Sequence, residues 1–125
     1  VKEIITTKNA PQAIGPYSQA VLANGILYSS GQIAIDPQTN QLVLDNIESE
    51  TNQVMKNLKA VLKAANMDFS NVVKCTIFLK DMNQYAAIND VYKTYFNENP
   101  PAREAVQVSE LPKSVNVEIS AIGVK

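Results

Sequence analysis

Apolar residues along this chain recur with two different periods, and the switches between them outline its elements. Residues 2–7 (KEIITT) are a short β-branched run and predict a first strand. Residues 18–25 (SQAVLANG) and 26–35 (ILYSSGQIAI) predict two more, joined at Asn24-Gly25. Asn-Gly between apolar runs favours a tight hairpin because both residues accept positive φ. Residues 36–41 (DPQTNQ) predict a turn-rich loop that closes this β section. The period then lengthens. Ile47, Thr51, Val54, Leu58, Val61, Leu62 and Ala65 recur at three- and four-residue spacing and predict a helix within 46–67. Glu48 and Glu50 near its start and Lys59 and Lys63 towards its end suit the helix dipole, and Asn66 suits a left-handed stop.

Residues 72–79 (VVKCTIFL) are almost continuously apolar, as for a strand covered on both faces. A second helix is predicted in 82–96, where Tyr85, Ile88, Tyr92 and Tyr95 fit one face with Phe96 beside it. Asn99-Pro100-Pro101 stops it. Two last strands alternate cleanly. In one, Val106 and Val108 oppose Arg103, Ala105 and Gln107. In the other, Val115, Val117, Ile119 and Ala121 oppose Asn116, Glu118 and Ser120. Residues 110–114 (ELPKS) turn the chain between them. The order βββαβαββ packs most economically as an α+β domain, residues 1–125, with one mixed sheet and both helices on one face. That leaves the other face uncovered, carrying apolar residues along with Arg103 and Glu118 or their neighbours. Such a face predicts self-association, which cyclic symmetry would close.

Composition narrows the chemistry. With 46% hydrophobic and 18% charged residues the chain reads as a soluble globular protein. A formal net charge of -1 gives no basic field for nucleic acid. Histidine is absent and Cys75 is the single cysteine, so Ser-His-Asp triads, Cys-His pairs and a Cys/His zinc site within one chain are excluded. Cys75 lies in an apolar run and predicts a buried thiol, and a cytoplasmic setting follows from that cysteine usage. The N-terminal residues lack the apolar core of a signal peptide, and no segment approaches the ~20 apolar residues of a membrane span.

Few candidates for chemistry remain. Arg103 is the only arginine among 11 cationic side chains and follows rigid Pro100-Pro101. Its planar fork matches a carboxylate or phosphate, or else forms a salt bridge, with Glu118 as the nearest candidate on a neighbouring strand. Glu118 sits between Val117 and Ile119, where desolvation would raise its pKa towards the range of a proton shuttle. Gly31 either marks a bulge or lets a ligand approach backbone N–H groups, and Ser30 beside it offers a hydroxyl donor and acceptor. Tyr17, after Gly15-Pro16, is either a core ring or a ligand wall.

Together, NAPQAIGPYSQAV, SSGQIAIDPQTN, VVKCTIFLKDMNQYAAINDVY and PPAREAVQVSELPKSVNVEISAIGV, in that order, resemble the reactive intermediate/imine deaminase family, RidA, also called YjgF. The resemblance spans the chain. It implies a chorismate-mutase-like fold assembled as a trimeric barrel, with clefts between subunits as active sites. It implies hydrolysis of enamine and imine intermediates released by pyridoxal-phosphate enzymes, such as 2-aminoacrylate and 2-iminobutanoate, to 2-keto acid and ammonia, with no metal or organic cofactor. Position by position it makes Arg103 the carboxylate grip and Glu118 the residue that positions or activates water. Tyr17, Ser30 and Gly31 line the other side of the pocket, and Asn89 is a further shared polar position. Where many relatives have a cysteine two residues after the arginine, this chain has Ala105, which excludes thiol chemistry there and leaves a backbone role. Two other readings attach to proteins of this appearance: a ribonuclease that inhibits translation, and a sensor that binds 2-keto acids without turnover. Charge and the missing histidine speak against the first.

Overall fold

A computed structural model describes residues 1–125. In chain order the elements are β1 (Glu3–Ile5), β2 (Ala20–Ala23), β3 (Ile26–Ser29), β4 (Ile35–Asp36), β5 (Gln41–Leu42), α1 (Ile47–Ala64), β6 (Val72–Leu79), α2 (Tyr85–Tyr92), β7 (Ala102–Gln107) and β8 (Val117–Val124). Six strands form one mixed sheet in the order β1-β2-β3-β8-β6-β7, with β7 parallel to β6 and all other pairs antiparallel. The predicted order holds for the main sheet, but the third predicted strand ends at Ser29 rather than at Ile35, and Ile35 opens a small separate hairpin, β4–β5, whose turn is the predicted 36–41 loop.

Local chemistry accounts for the boundaries. Asn24 (φ 53) and Gly25 (φ 77) make the two-residue turn that pairs Ala23 with Ile26. The Asn46 side chain caps α1 by accepting from Ser49 N at 2.7 Å. At the other end Asn66 takes φ 58, and Met67 N–H returns to the Leu62 carbonyl at 2.9 Å, which terminates the helix as predicted. Val54, Leu58, Val61 and Leu62 from α1 and Ile88 and Tyr92 from α2 bury against Cys75, Ile77, Leu79, Val117, Ile119 and Ala121 of β6 and β8.

Two expectations need correction. First, β6 is not covered on both faces: Cys75, Ile77 and Leu79 are buried, whereas Lys74, Thr76 and Phe78 between them remain half-exposed on the open face of the chain. Second, β7 and β8 are not neighbours, although residues 110–114 turn the chain between them as predicted. The crossover through α2 lays β7 parallel to β6, so β6 separates β7 from β8. Glu50 lies in the first turn of α1, as predicted, but does more than face the helix dipole. It is fully buried, and its carboxylate accepts from Asn116 N (2.8 Å), Asn116 Nδ2 (2.7 Å) and Val117 N (3.2 Å). These bonds fasten α1 to the start of β8. A Glu50→Ala chain would leave those donors without an acceptor in the interior, and should lose about 3 kcal/mol of unfolding free energy in a urea titration at fixed protein concentration.

Candidate active site

Cross-strand register decides which candidate residues can meet. Arg103 stands opposite Cys75, and Cys75 opposite Ala121, so Arg103 points to the helix-covered face. Glu118 stands opposite Phe78, and Phe78 opposite Val106, so Glu118 points to the open face. Within one chain the two are on opposite sides of the sheet with β6 between them. The Arg103–Glu118 salt bridge is therefore excluded within the chain, and Arg103 is not on the uncovered face, where Glu104 and Val106 are found instead.

The Glu118 side gathers most of the predicted residues. Tyr17, Ser30, Gly31 and Glu118, with Gln32 and Lys113 among their neighbours, line a cavity of about 610 Å³. Gly31 lies in a bulge: Tyr28 pairs with Ile122, yet Gln32 pairs with Ile119, which leaves one extra residue on the 29–31 side. Ser29 Oγ fills the gap in the ladder by accepting from Ala121 N at 2.8 Å. The bulge reading of Gly31 is realised, and the bulge also brings its backbone onto the Glu118 side chain. A Cβ at Gly31 would lie 2.7 Å from Glu118 Cδ and 2.9 Å from Cγ. The Gly31 N–H has no acceptor in the chain. The Ser30 hydroxyl donates to the Ser18 carbonyl at 2.5 Å, so it offers a ligand its lone pairs rather than its proton, which corrects the expected donor role. Tyr17 is 54% exposed, which rules out the core reading. A tight turn about Pro16 (Tyr17 N to Gly15 O, 2.9 Å), with Gly15 at φ 126, sets where its ring stands.

Partial burial pushes the Glu118 carboxyl above the usual carboxylate range, as its flanking residues predicted. The folded chain then holds this proton to a higher pH than the unfolded chain. The associated stability is complete below the unfolded value and is lost as pH rises through the folded one. Glu118→Gln should therefore raise the melting temperature at pH 7, with the difference closing on acidification to about pH 4. A pH series of thermal unfolding curves checks this.

A second group of the predicted residues is built on Arg103, on the opposite face of the sheet. Its Nη1 donates to Asn89 Oδ1 at 2.7 Å and its Nη2 to the Tyr85 hydroxyl. The guanidinium carbon stands 5.4 Å from the Tyr85 ring centre and 5.0 Å from that of Tyr92. No carboxylate pairs with it; the chain's ion pairs are Lys74–Glu104 and Lys93–Asp90. Arg103, Asn89, Tyr92, Phe96, Pro100 and Pro101 border a cavity of about 490 Å³. Ala105 shares the face of Arg103, opposite Ile77, and packs half-buried against the core without lining either cavity.

Sequence reasoning missed the buried amides behind these walls. Gln19 accepts from Thr7 N (2.7 Å) and donates to the carbonyls of Thr7 (3.0 Å), Ala10 (3.2 Å) and Pro11 (2.7 Å), fixing the loop beside Tyr17. Asn57 donates to the Ile33 and Ile35 carbonyls, each at 3.0 Å. The available signal was position: Asn57 falls at helical spacing between Val54 and Val61, on the buried stripe.

Comparison with known proteins agrees with this fold. The family profile described as Endoribonuclease L-PSP matches residues 7–125. The chain is 50% identical to a 2-iminobutanoate/2-iminopropanoate deaminase of Rattus norvegicus over 125 residues, all of this chain and 91% of that protein. Among solved structures it is similar to a Rid-family protein of Yersinia pestis, with 51% identity, TM-score 0.98 and full coverage of both chains. It is also similar to TdcF of E. coli with bound serine, with 40% identity, TM-score 0.94 and 98% of each chain covered. No helix of the chain is long and apolar enough to cross a membrane. The six-stranded mixed sheet with two helices, the full-length identity and the profile match together make this chain a member of the RidA/YjgF family.

Proposed function

We propose that this protein hydrolyses small 2-imino acids and their enamine tautomers to 2-keto acids and ammonia, in sites assembled between chains of a cyclic homotrimer. The observation that carries the reading is the unneutralised Arg103. A lone arginine held by neutral groups, with no acid beside it, is prepared for an incoming carboxylate. The identity to a named 2-iminobutanoate/2-iminopropanoate deaminase supplies the substrate class. The opposite-face disposition of Arg103 and Glu118 supports sites between chains, since one chain alone cannot bring both to one ligand.

In this reading Arg103 of one chain grips the substrate carboxylate, and Glu118 of the next orients a water against the imine carbon. As the C–O bond forms, the C=N pair moves onto nitrogen and Glu118 takes the water proton. It then returns that proton to nitrogen, giving a carbinolamine; Glu118 next takes the carbinolamine hydroxyl proton as the carbonyl forms and passes it to nitrogen as the C–N bond breaks, so that ammonia leaves a 2-keto acid. A carboxyl raised by burial is suited to these transfers. The free Gly31 N–H offers a hydrogen bond to the bound anion, and the exposed Tyr17 ring walls the cleft. The substrate is already electrophilic, so no histidine-activated nucleophile is required. Orientation of the reactants supplies the acceleration.

The test generates 2-aminoacrylate from serine with a dehydratase and follows ammonia and pyruvate. Faster release with this protein present supports the reading, and an unchanged rate at micromolar protein overturns it.

A further inference from the structure

We infer that Tyr85 and Tyr92 are positioning residues for the anion-binding arginine. This rests on the proposed function only in that Arg103 is taken to hold a carboxylate. A guanidinium has five N–H donors, and holding it by its charge alone would leave its plane free to turn. Here two donors are engaged by neutral acceptors, Asn89 Oδ1 and the Tyr85 hydroxyl, both on α2. The rings of Tyr85 and Tyr92 lie seven residues, about two helical turns, apart on one face of α2, and both stand within 5.4 Å of the guanidinium carbon. Tyr92 is itself buried, and its hydroxyl is not a hydrogen-bond partner of Arg103. Its contribution to Arg103 is therefore its ring, whereas Tyr85 contributes ring and hydroxyl together.

The two tyrosines do different work from a counter-ion. A carboxylate beside Arg103 would fix it equally well but would compete with the substrate. Aromatic faces and a phenol oxygen restrain the fork while leaving its charge available and its remaining N–H groups free. The ordering of the side chain is then complete before substrate arrives, which strengthens binding without altering the chemical step. The residues act through Arg103, so their signature is in KM and ligand affinity rather than in kcat.

The test combines imine-hydrolysis kinetics with calorimetric binding of 2-ketobutyrate. Tyr85→Phe should raise KM and the 2-ketobutyrate Kd about fivefold, because the guanidinium loses one of the two bonds that orient it, with kcat within about twofold. Tyr92→Leu should raise both by about tenfold, and Tyr92→Phe should recover most of that loss because the ring is retained. In an Arg103→Ala background Tyr85→Phe should cost nothing further. Unchanged KM and Kd in Tyr85→Phe, or a loss that persists without Arg103, overturns the inference. Where Tyr92→Leu melts early, the Tyr85→Phe cycle decides alone. Wild-type protein that binds 2-ketobutyrate and shows this cycle, yet hydrolyses no imine, would remove the deaminase reading and leave this one standing. Wild-type protein that binds no 2-ketobutyrate would remove this one.

Discussion

An Arg103→Ala chain should fold, assemble and lose about two to four orders of magnitude in kcat/KM for imine hydrolysis. Two charge-assisted hydrogen bonds to a carboxylate contribute roughly 1.5–3 kcal/mol each, and their loss falls in that range of rate. The side chain is not part of the apolar core and has no buried acid to strand, so the melting temperature should shift little. Arg103→Lys is the informative companion. It keeps the charge but not the planar fork, and lysine cannot engage Asn89 and Tyr85 in the same way. Activity about tenfold to thirtyfold below wild type would separate geometry from charge. An Arg103→Ala protein with full acceleration would remove this residue from the mechanism.

Gly31→Ala should be nearly as damaging, for a different reason. The added methyl would collide with Glu118 rather than with backbone. Gly31 is exposed, and the colliding atoms end a flexible side chain that can move aside. Folding should therefore tolerate the change within a few degrees of melting temperature, while the carboxylate is displaced from its station above the bulge. A lost general acid–base group lowers kcat by about 10² or more. Because both changes act on one carboxylate, Gly31→Ala combined with Glu118→Gln should be no worse than Glu118→Gln alone. Additive losses, or a Gly31→Ala enzyme with normal kcat, would contradict the close approach as the function of this glycine.

Much of this was readable from the residues, because the readable parts depend on local period. α1 has a strong apolar stripe and polar caps. The β8 alternation placed Val117, Ile119 and Ala121 on the core side, and they are there. Asn24-Gly25 and Asn66 declared their backbone angles. What remained hidden depends on pairing across distance. Nothing local tells β7 to run parallel beside β6, so the alternation that separated Arg103 from Val106 could not say which face either would share with Glu118. Glu50 and Asn57 were obscured for the opposite reason. Their type suggests solvent, and only the backbone donors and carbonyls that they meet, far away in sequence, make their burial intelligible. Asn89 was selected by resemblance, and its contact with the Arg103 guanidinium now supplies the physical reason.

The placement of Arg103 and Glu118 on opposite faces of one sheet has a genetic consequence. If each site takes one residue from each of two neighbouring chains, two inactive variants carry complementary defects. Arg103→Ala and Glu118→Ala chains, unfolded together and reassembled at equal ratio, would by chance form about one intact site in four within a cyclic assembly. Two dead preparations would then make a partly living mixture. Equally, a chain defective in one half would silence a site in company with a sound neighbour, so each subunit's fitness is shared with the chain beside it.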